Sequence, residues 1–390
     1  MHILSIETSC DETALSVVRA TGDFPHATYE ILGDALWSQI DVHKAYGGVF
    51  PAVAKREHTA SILPMLKKAL TEAEITYTPN EPIDEAAKKN IETIFEREPG
   101  LANALLDFHT AAGTPHIDKI AVTSGPGLEP ALWVGLNFAK ALAWLWDVPV
   151  IPVNHMEGHI LASIFDADRD DQLSDIAFPA IALLISGGHT ELIVMEDWKQ
   201  YTKIGQTRDD AVGEAFDKVA RLLGIPYPGG PEVAKRASIA RRRALPTYAS
   251  LPSPMLHSPD LDFSFSGLKT AVRYAVKDKQ LTADEVSAVC RDFEDAALAV
   301  LIKKTSAAIT AYGAKTVIVG GGVSANQQLK QLLNQELIST HQDVVSYFPQ
   351  PGLSTDNSIM IALAGHARHT SALSPAGTVS VRAVGNRSLA

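Results

Sequence analysis

Twice along this chain, short apolar runs rich in Ile and Val give way to a glycine turn and then to a helical pattern. That repetition restricts the fold more than any other feature. In the first round, residues 3–6, 14–19 and 28–38 read as strands, with Val17 and Val18 supplying β-branched character. Residues 53–70 read as a helix, because Leu63, Leu66 and Leu70 recur at helical spacing. A strand at 117–124 then runs into Gly125-Pro126-Gly127, followed by a buried helix at 132–146 and a strand at 148–153. In the second round, 180–185 and 191–195 form a hairpin around Ser186-Gly187-Gly188-His189. Helices follow at 211–223, 233–240, 267–276 and 286–311. A strand at 315–319 leads through Gly320-Gly321-Gly322 to a helix starting near Asn326. Two series of this kind predict an α/β protein of two related lobes with a central cleft. The expected boundaries are 1–175 for the N-terminal lobe and 176–390 for the C-terminal lobe, with the last segment packing back on the first lobe.

The stretch 78–115 breaks the rhythm. It holds Glu81, Asp84, Glu85, Glu92, Glu96, Glu98 and Asp107 against Lys88, Lys89 and Arg97. It is expected to be a small helical insertion, a solvated decoration rather than a partner-docking element. With 46% hydrophobic and 20% charged residues, the 390-residue chain can bury a large core. No apolar run reaches the roughly 18–20 residues of a membrane helix, and Met1 to Ile6 reads directly into a strand, without a presequence. Cys10 and Cys290 are the only cysteines, too few for a disulfide framework or a cysteine zinc cage. A net charge of −11 argues against a surface coated for nucleic acid, while leaving room for a local basic patch. The expectation is a cytoplasmic protein with no membrane segment.

Several segments could carry chemistry. His155 and His159 stand at i and i+4, which on a helix puts both imidazoles on one face, as a first-row metal requires. Glu157, two residues from each, points away, and the spacing is not the His-Glu-x-x-His of zinc proteases. Ser354-Thr355-Asp356-Asn357 precedes an apolar helix; it offers either a third ligand or an ordinary N-cap. The glycine turns at Gly187-Gly188, Gly229-Gly230 and Gly320 to Gly322 would let backbone N–H groups approach a phosphate, although none is a Walker loop. Asp210, Glu214 and Asp217 share one helical stripe, either a solvated acidic face or carboxylates for ribose hydroxyls. Lys235, Arg236, Arg241, Arg242 and Arg243 lie in a stretch, 233–259, without an acid. They suit either a solvated helix end or a phosphate backbone. Cys10 reads as a packing residue.

Taken together, these segments resemble the tRNA N6-adenosine threonylcarbamoyltransferase family. The motifs that carry the resemblance are Ile6 to Thr13, His155 to His159, Ser186 to Thr190, Asp209 to Lys218, Tyr227 to Pro231, Phe263 to Lys269, Gly321 to Asn326 and Ser354 to Asn357. They occur in family order along nearly the whole chain except 78–115. The resemblance implies the two-lobed fold of actin, hexokinase and Hsp70 (ASKHA). It also implies transfer of the threonylcarbamoyl group of threonylcarbamoyl-AMP to N6 of the adenosine beside the anticodon, at tRNA position 37.

Carried over to this sequence, the resemblance implies that His155, His159 and Asp356 hold a divalent metal, Fe2+ first and Zn2+ as the alternative. Leu184, Ile185, Ser186, Gly187 and Gly188 would line the adenylate, with Asp217 and Gly230 on the ribose side and Asn326 near the base. Glu12 would be a catalytic or positioning carboxylate. Leu184 stands where archaeal and eukaryotic relatives carry a metal-binding Tyr, which implies the bacterial type. Ala234 replaces a carboxylate that some relatives direct at the ribose, leaving Asp217 as its main partner. Bacterial relatives work with a TsaB-like paralogue and a TsaE-like P-loop ATPase. The competing readings are a small-molecule kinase of the same fold, which would begin with an Asp-x-Gly phosphate motif that Glu7-Thr8-Ser9 lacks, and a non-catalytic scaffold subunit, which would lack the histidine pair.

Overall fold

Side chains of the first strand, His2–Glu7, point alternately to its two faces and so decide which residues pack on each. Leu4 and Ile6 point to one face and join a core with Leu15, Val17, Ile62, Leu66, Leu132 and Leu136. Ile3, Ser5 and Glu7 must then face the other way. The computed structural model describes residues 1–79, 83–167 and 169–390, in two compact units.

The first unit comprises Met1–Asp41, Val49–Ser174 and Asp356–Ser388. Its sheet runs Val150–Asn154, Lys119–Gly125, His2–Glu7, Glu12–Thr21, Thr28–Ser38, and then the short strands Gln172–Leu173 and Phe165–Asp166. The three N-terminal strands form an antiparallel meander, while Lys119–Gly125 and Val150–Asn154 add in parallel. The helices Pro51–Glu72 and Glu129–Trp146 contribute Ile62, Leu66, Leu132 and Leu136 to the core beneath Leu4 and Ile6. The helices His155–Ile164 and Ser358–Ala367 pack on each other. Every residue of both is buried. Gly158 makes that contact possible: a Cβ there would lie 3.0 Å from Met360 Cγ and 3.2 Å from Ile361 Cδ1.

The second unit comprises Val42–Gly48, Asp175–Thr355 and Leu389–Ala390. Its sheet runs Gln200–Gln206, Thr190–Asp197, Ala180–Ile185, Thr316–Gly320, Val345–Tyr347. It is again an antiparallel meander followed by two parallel strands, so the repeated sequence rhythm is a repeated topology. The strand Gln200–Gln206 is not expected from sequence. Its edge position leaves Gln200, Thr202 and Gln206 polar, which blurs the apolar alternation. The long helix Ala283–Tyr312 begins with a capping box in which the Thr282 hydroxyl accepts from Glu285 N and the Glu285 carboxylate accepts from Thr282 N.

The insertion corrects one expectation. It does form helices, Glu85–Ile94 and Pro99–Ala112, but it is not merely a solvated decoration. Ile91, Phe95, Leu101, Ala102 and Leu105 are buried in the core of the first unit. The acid-rich composition disguises two apolar stripes at i and i+4, Ile91 with Phe95 and Leu101 with Leu105. Residues 80–82, Glu81 among them, lie outside the described residues.

Candidate functional site

The helix His155–Ile164 starts at its first histidine because Asn154 caps it, accepting from Met156 N at 2.9 Å. One turn separates the two imidazoles, which meet edge to face with ring centroids 4.7 Å apart. Asp356 completes the group. Its Oδ1 lies 3.4 Å from His155 Nε2 and 3.2 Å from His159 Nε2. One ligand atom from each residue falls within 4.8 Å of the others, all inside the first unit. Bonds of about 2.1 Å at tetrahedral angles would place ligand atoms about 3.4 Å apart, so these separations suit a small divalent cation. A second observation agrees: both ring nitrogens of His159 are buried without a hydrogen-bond partner, although His159 is 1% exposed. An imidazole closed off from water in this way has the lone pair a metal needs.

The neighbouring residues separate two roles that the sequence leaves open before the apolar helix. Asn357 is the N-cap of Ser358–Ala367, accepting from Met360 N at 2.9 Å, and Asp356 turns to the histidines. Glu157 points away, as the helix period requires, and forms a bidentate pair with Arg368 at 3.0 and 2.8 Å. Behind His155, its Nδ1 lies 3.0 Å from Glu7 Oε2 and 3.2 Å from Ser9 Oγ. In the sequence Glu7 stands out only as part of the segment Ile6 to Thr13. The signal that could have found it is the alternation that puts Glu7 on the face opposite Leu4 and Ile6.

Burial opposes charge on the Asp356 carboxyl, yet the two imidazoles outweigh it and hold it well below the usual carboxylate range. Burial likewise opposes protonation of His155, but Asp356 and Glu7 overcome it and raise the ring well above the usual imidazole value. These carboxylates therefore favour positive charge at His155, whether a proton or a cation on Nε2. At His159 burial dominates and lowers the pKa, keeping the ring neutral. Glu12, at the start of the second strand, is raised well above the carboxylate range by burial and then by Asp11 and Asp356. Its Oε1 accepts from Ser38 Oγ at 3.4 Å.

The second unit holds the expected adenylate residues. Leu184 and Ile185 are fully buried in their strand. Ser186 closes the turn beyond it: its hydroxyl accepts from Gly188 N at 3.3 Å and His189 N at 3.1 Å. Gly187 and Gly188 are exposed, with open space where a Cβ would project from either. Asp217 and Gly230 are brought together, since Asp217 Oδ1 accepts from Gly229 N at 2.8 Å and Gly230 N at 3.2 Å. Gly229 is required there, because a Cβ would meet that of Ala220 at 2.2 Å. Asn326 caps the helix Gln327–Thr340 through Leu329 N and donates from Nδ2 to Glu294 Oε1 at 2.7 Å.

The basic cluster carries more compensation than its local sequence shows. Arg241 donates to Glu294 Oε2 at 2.5 Å and also pairs with Asp295. Arg243 pairs with Asp284, while Lys235 and Arg236 lie 3.5 and 3.0 Å from Glu232. Arg242 is exposed on the same helix end. Glu294 is 1% exposed, so Arg241 and Asn326 are tied to one buried carboxylate.

Comparison with known proteins gives a consistent picture. The family model described as TsaD, tRNA N6-adenosine threonylcarbamoyltransferase, matches residues 30–83 and 99–363. A protein of that name from Ralstonia pickettii (strain 12J) is 40% identical over 374 residues, 94% of this chain and 91% of that protein. Another from Burkholderia pseudomallei (strain K96243) is 41% identical over 376 residues, covering 94% and 92%. The solved structure of T. kodakarensis HypF superposes with a TM-score of 0.55 at 11% identity, over 95% of this chain and 48% of that one. At that identity the likeness speaks for the fold alone, which is of the actin, hexokinase and Hsp70 class. No helix among the described residues is long and apolar enough to cross a membrane.

Proposed function

Because the chain belongs to the tRNA N6-adenosine threonylcarbamoyltransferase family, we infer that it transfers a threonylcarbamoyl group to N6 of an adenosine in tRNA, forming t6A. The observation that carries this reading is the His155, His159 and Asp356 cluster, built with metal-ligand spacing within a chain that matches the family almost end to end. The proposed donor is threonylcarbamoyl-AMP and the proposed acceptor is adenosine 37.

In the transfer, the adenine N6 attacks the carbamoyl carbon. A C–N bond forms as the C–O bond to phosphate breaks, AMP departs and N6 gives up a proton. Glu12 is the proposed acceptor of that proton or the group that positions N6, and burial, Asp11 and Asp356 raise its pKa, which makes its carboxylate the stronger base. His155, His159 and Asp356 would hold one divalent metal, Fe2+ first and Zn2+ second, since two imidazoles and a carboxylate suit either. When bound, the metal supplies Lewis-acid polarisation of the carbonyl. Gly187 and Gly188 let the adenylate approach the backbone, on a turn fixed by Ser186 and founded on Leu184 and Ile185. Asp217, positioned by Gly229 and Gly230, accepts from ribose hydroxyls, and Asn326 serves the base.

The chain is proposed to act in the cytoplasm with a TsaB-like paralogue and a TsaE-like P-loop ATPase. A charge of −11 repels tRNA at long range, so its phosphates are proposed to meet the local cluster of Lys235, Arg236, Arg241, Arg242 and Arg243. Lys235, with a side chain 71% exposed, and the exposed Arg242 are open to such a ligand. Nucleoside analysis of tRNA after incubation with the chain, both partners and threonylcarbamoyl-AMP tests the reading. Absence of t6A under those conditions, with a folded and metal-loaded chain, contradicts it.

A further inference from the structure

We propose that Glu7 is a positioning residue for His155: it fixes which ring nitrogen carries the proton and so leaves Nε2 free to bind metal. The proposal rests on the metal reading above and extends it to a residue outside the ligand set.

The strand delivers Glu7 to this place. Ile3, Ser5 and Glu7 occupy the face opposite Leu4 and Ile6, and Ser5 on that face bonds to Ser16 O, beside the helix Ser358–Ala367 that Ser16 reaches through Ser358. The Glu7 side chain is 0% exposed, and burying a carboxylate is costly unless its oxygens are satisfied. They are. Oε1 accepts from Ser9 N, while Oε2 accepts from Thr123 Oγ1 at 2.7 Å and lies 3.0 Å from His155 Nδ1. With donors already on both oxygens, the carboxylate acts as an acceptor towards the ring, which makes Nδ1 the protonated nitrogen. The remaining nitrogen, Nε2, faces Asp356 and His159, where it can give its lone pair to a metal in place of a proton. A carboxylate behind a ligating imidazole fixes its tautomer and orientation and raises its basicity as a ligand, with typical losses of 10–100-fold in metal affinity on mutation. His159 has no such partner, both of its ring nitrogens lacking a hydrogen bond, so the orienting role falls on one imidazole of the pair.

Zinc titration of the chelator-stripped full chain, in competition with a chromophoric chelator, tests this in wild type, Glu7→Gln, Glu7→Ala and His155→Ala. Melting temperatures of the metal-free proteins are recorded alongside. Glu7→Gln keeps the shape and an acceptor but removes the charge. It is expected to bind zinc about 10-fold more weakly, with Glu7→Ala weaker still. His155→Ala should lose the most. If Glu7→Gln and a folded Glu7→Ala both bind within twofold of wild type while His155→Ala is impaired, the positioning role is overturned and the metal site stands. If His155→Ala binds as wild type, the metal reading itself fails and takes the proposal with it. Should Glu7→Ala fail to fold, Glu7→Gln alone decides.

Discussion

Asp356 and Asn357 divide between adjacent positions two tasks that either residue type could perform alone. Asn357 accepts from Met360 N and starts the helix, while Asp356 Oδ1 lies 3.2 Å from His159 Nε2. The two functions should therefore come apart on mutation. Asn357→Ala is expected to cost about 1 kcal/mol of stability, the usual value of a lost N-cap, while retaining zinc binding. Asp356→Ala should keep the cap and lose metal. Denaturant unfolding and metal analysis of the two variants check the separation, and metal loss of equal size in both would refute it.

Arg368 neutralises Glu157, which is 3% exposed on the helix that carries both histidines. Removing the guanidinium takes away the bidentate partner of this buried carboxylate and leaves the Arg387 charge to act on it without that paired geometry. Arg368→Ala should destabilise by roughly 3 kcal/mol. Adding Glu157→Gln should recover much of that, because the charge is gone as well. Urea unfolding of the single and double variants measures the recovery, and strictly additive losses would contradict the pairing.

His366 links stability to acid. Its Nδ1 lies 3.0 Å from Tyr29 Oη, and His369 stacks on it with centroids 5.3 Å apart. Burial first, then His369 and the N-terminal ammonium, push its pKa down to about 4, against the pull of Asp23. In the unfolded chain the ring takes up a proton near pH 6.5, whereas the folded ring stays neutral until about pH 4. The unfolded state thus binds more protons in that window, and acidification drains stability between those limits. The slope from one proton is at most about 1.4 kcal/mol per pH unit. His366→Gln should flatten the decline in unfolding free energy between pH 6.5 and pH 4, and an unchanged decline would show that other groups dominate.

The basic cluster should behave as two populations. Lys235→Ala with Arg242→Ala is expected to weaken tRNA binding without sequence preference and to reduce the salt slope by about one per lost contact. Arg241→Ala should act differently, since it frees the buried Glu294 that also holds Asn326. Its expected defect is in stability and affinity for the adenylate. Filter binding across a salt series, beside equilibrium binding of threonylcarbamoyl-AMP, distinguishes them. Equal effects of all three substitutions on tRNA alone would contradict this division.

What the sequence shows of all this follows from the range of the interactions. His155 and His159 are legible because a helix repeats within four residues, and the apolar strands of the two sheets because strands and glycine turns are local signals. Glu157 is also legible as a residue pointing away, although its partner Arg368, just past the helix Ser358–Ala367, is distant in sequence. Arg241 reads as an uncompensated cation because Glu294 and Asp295 arrive from another helix. The buried stripes of the insertion are masked by Glu92 between Ile91 and Phe95 and by Glu85, Glu96, Glu98 and Asp107 around them. Glu7 is hidden for a different reason. Strand alternation gives its face, but only the packed structure shows that His155 stands on that side.

The most direct test is a transfer assay under single-turnover conditions with threonylcarbamoyl-AMP, unmodified tRNA, the partner proteins and this chain as wild type or His159→Ala. The two proteins would be matched for folded fraction by circular dichroism. Wild type should convert adenosine to t6A, and His159→Ala should bind tRNA normally yet form product at least 100-fold more slowly, with its metal content reduced. Transfer by His159→Ala at the wild-type rate would contradict the central claim that His155, His159 and Asp356 form the working metal site.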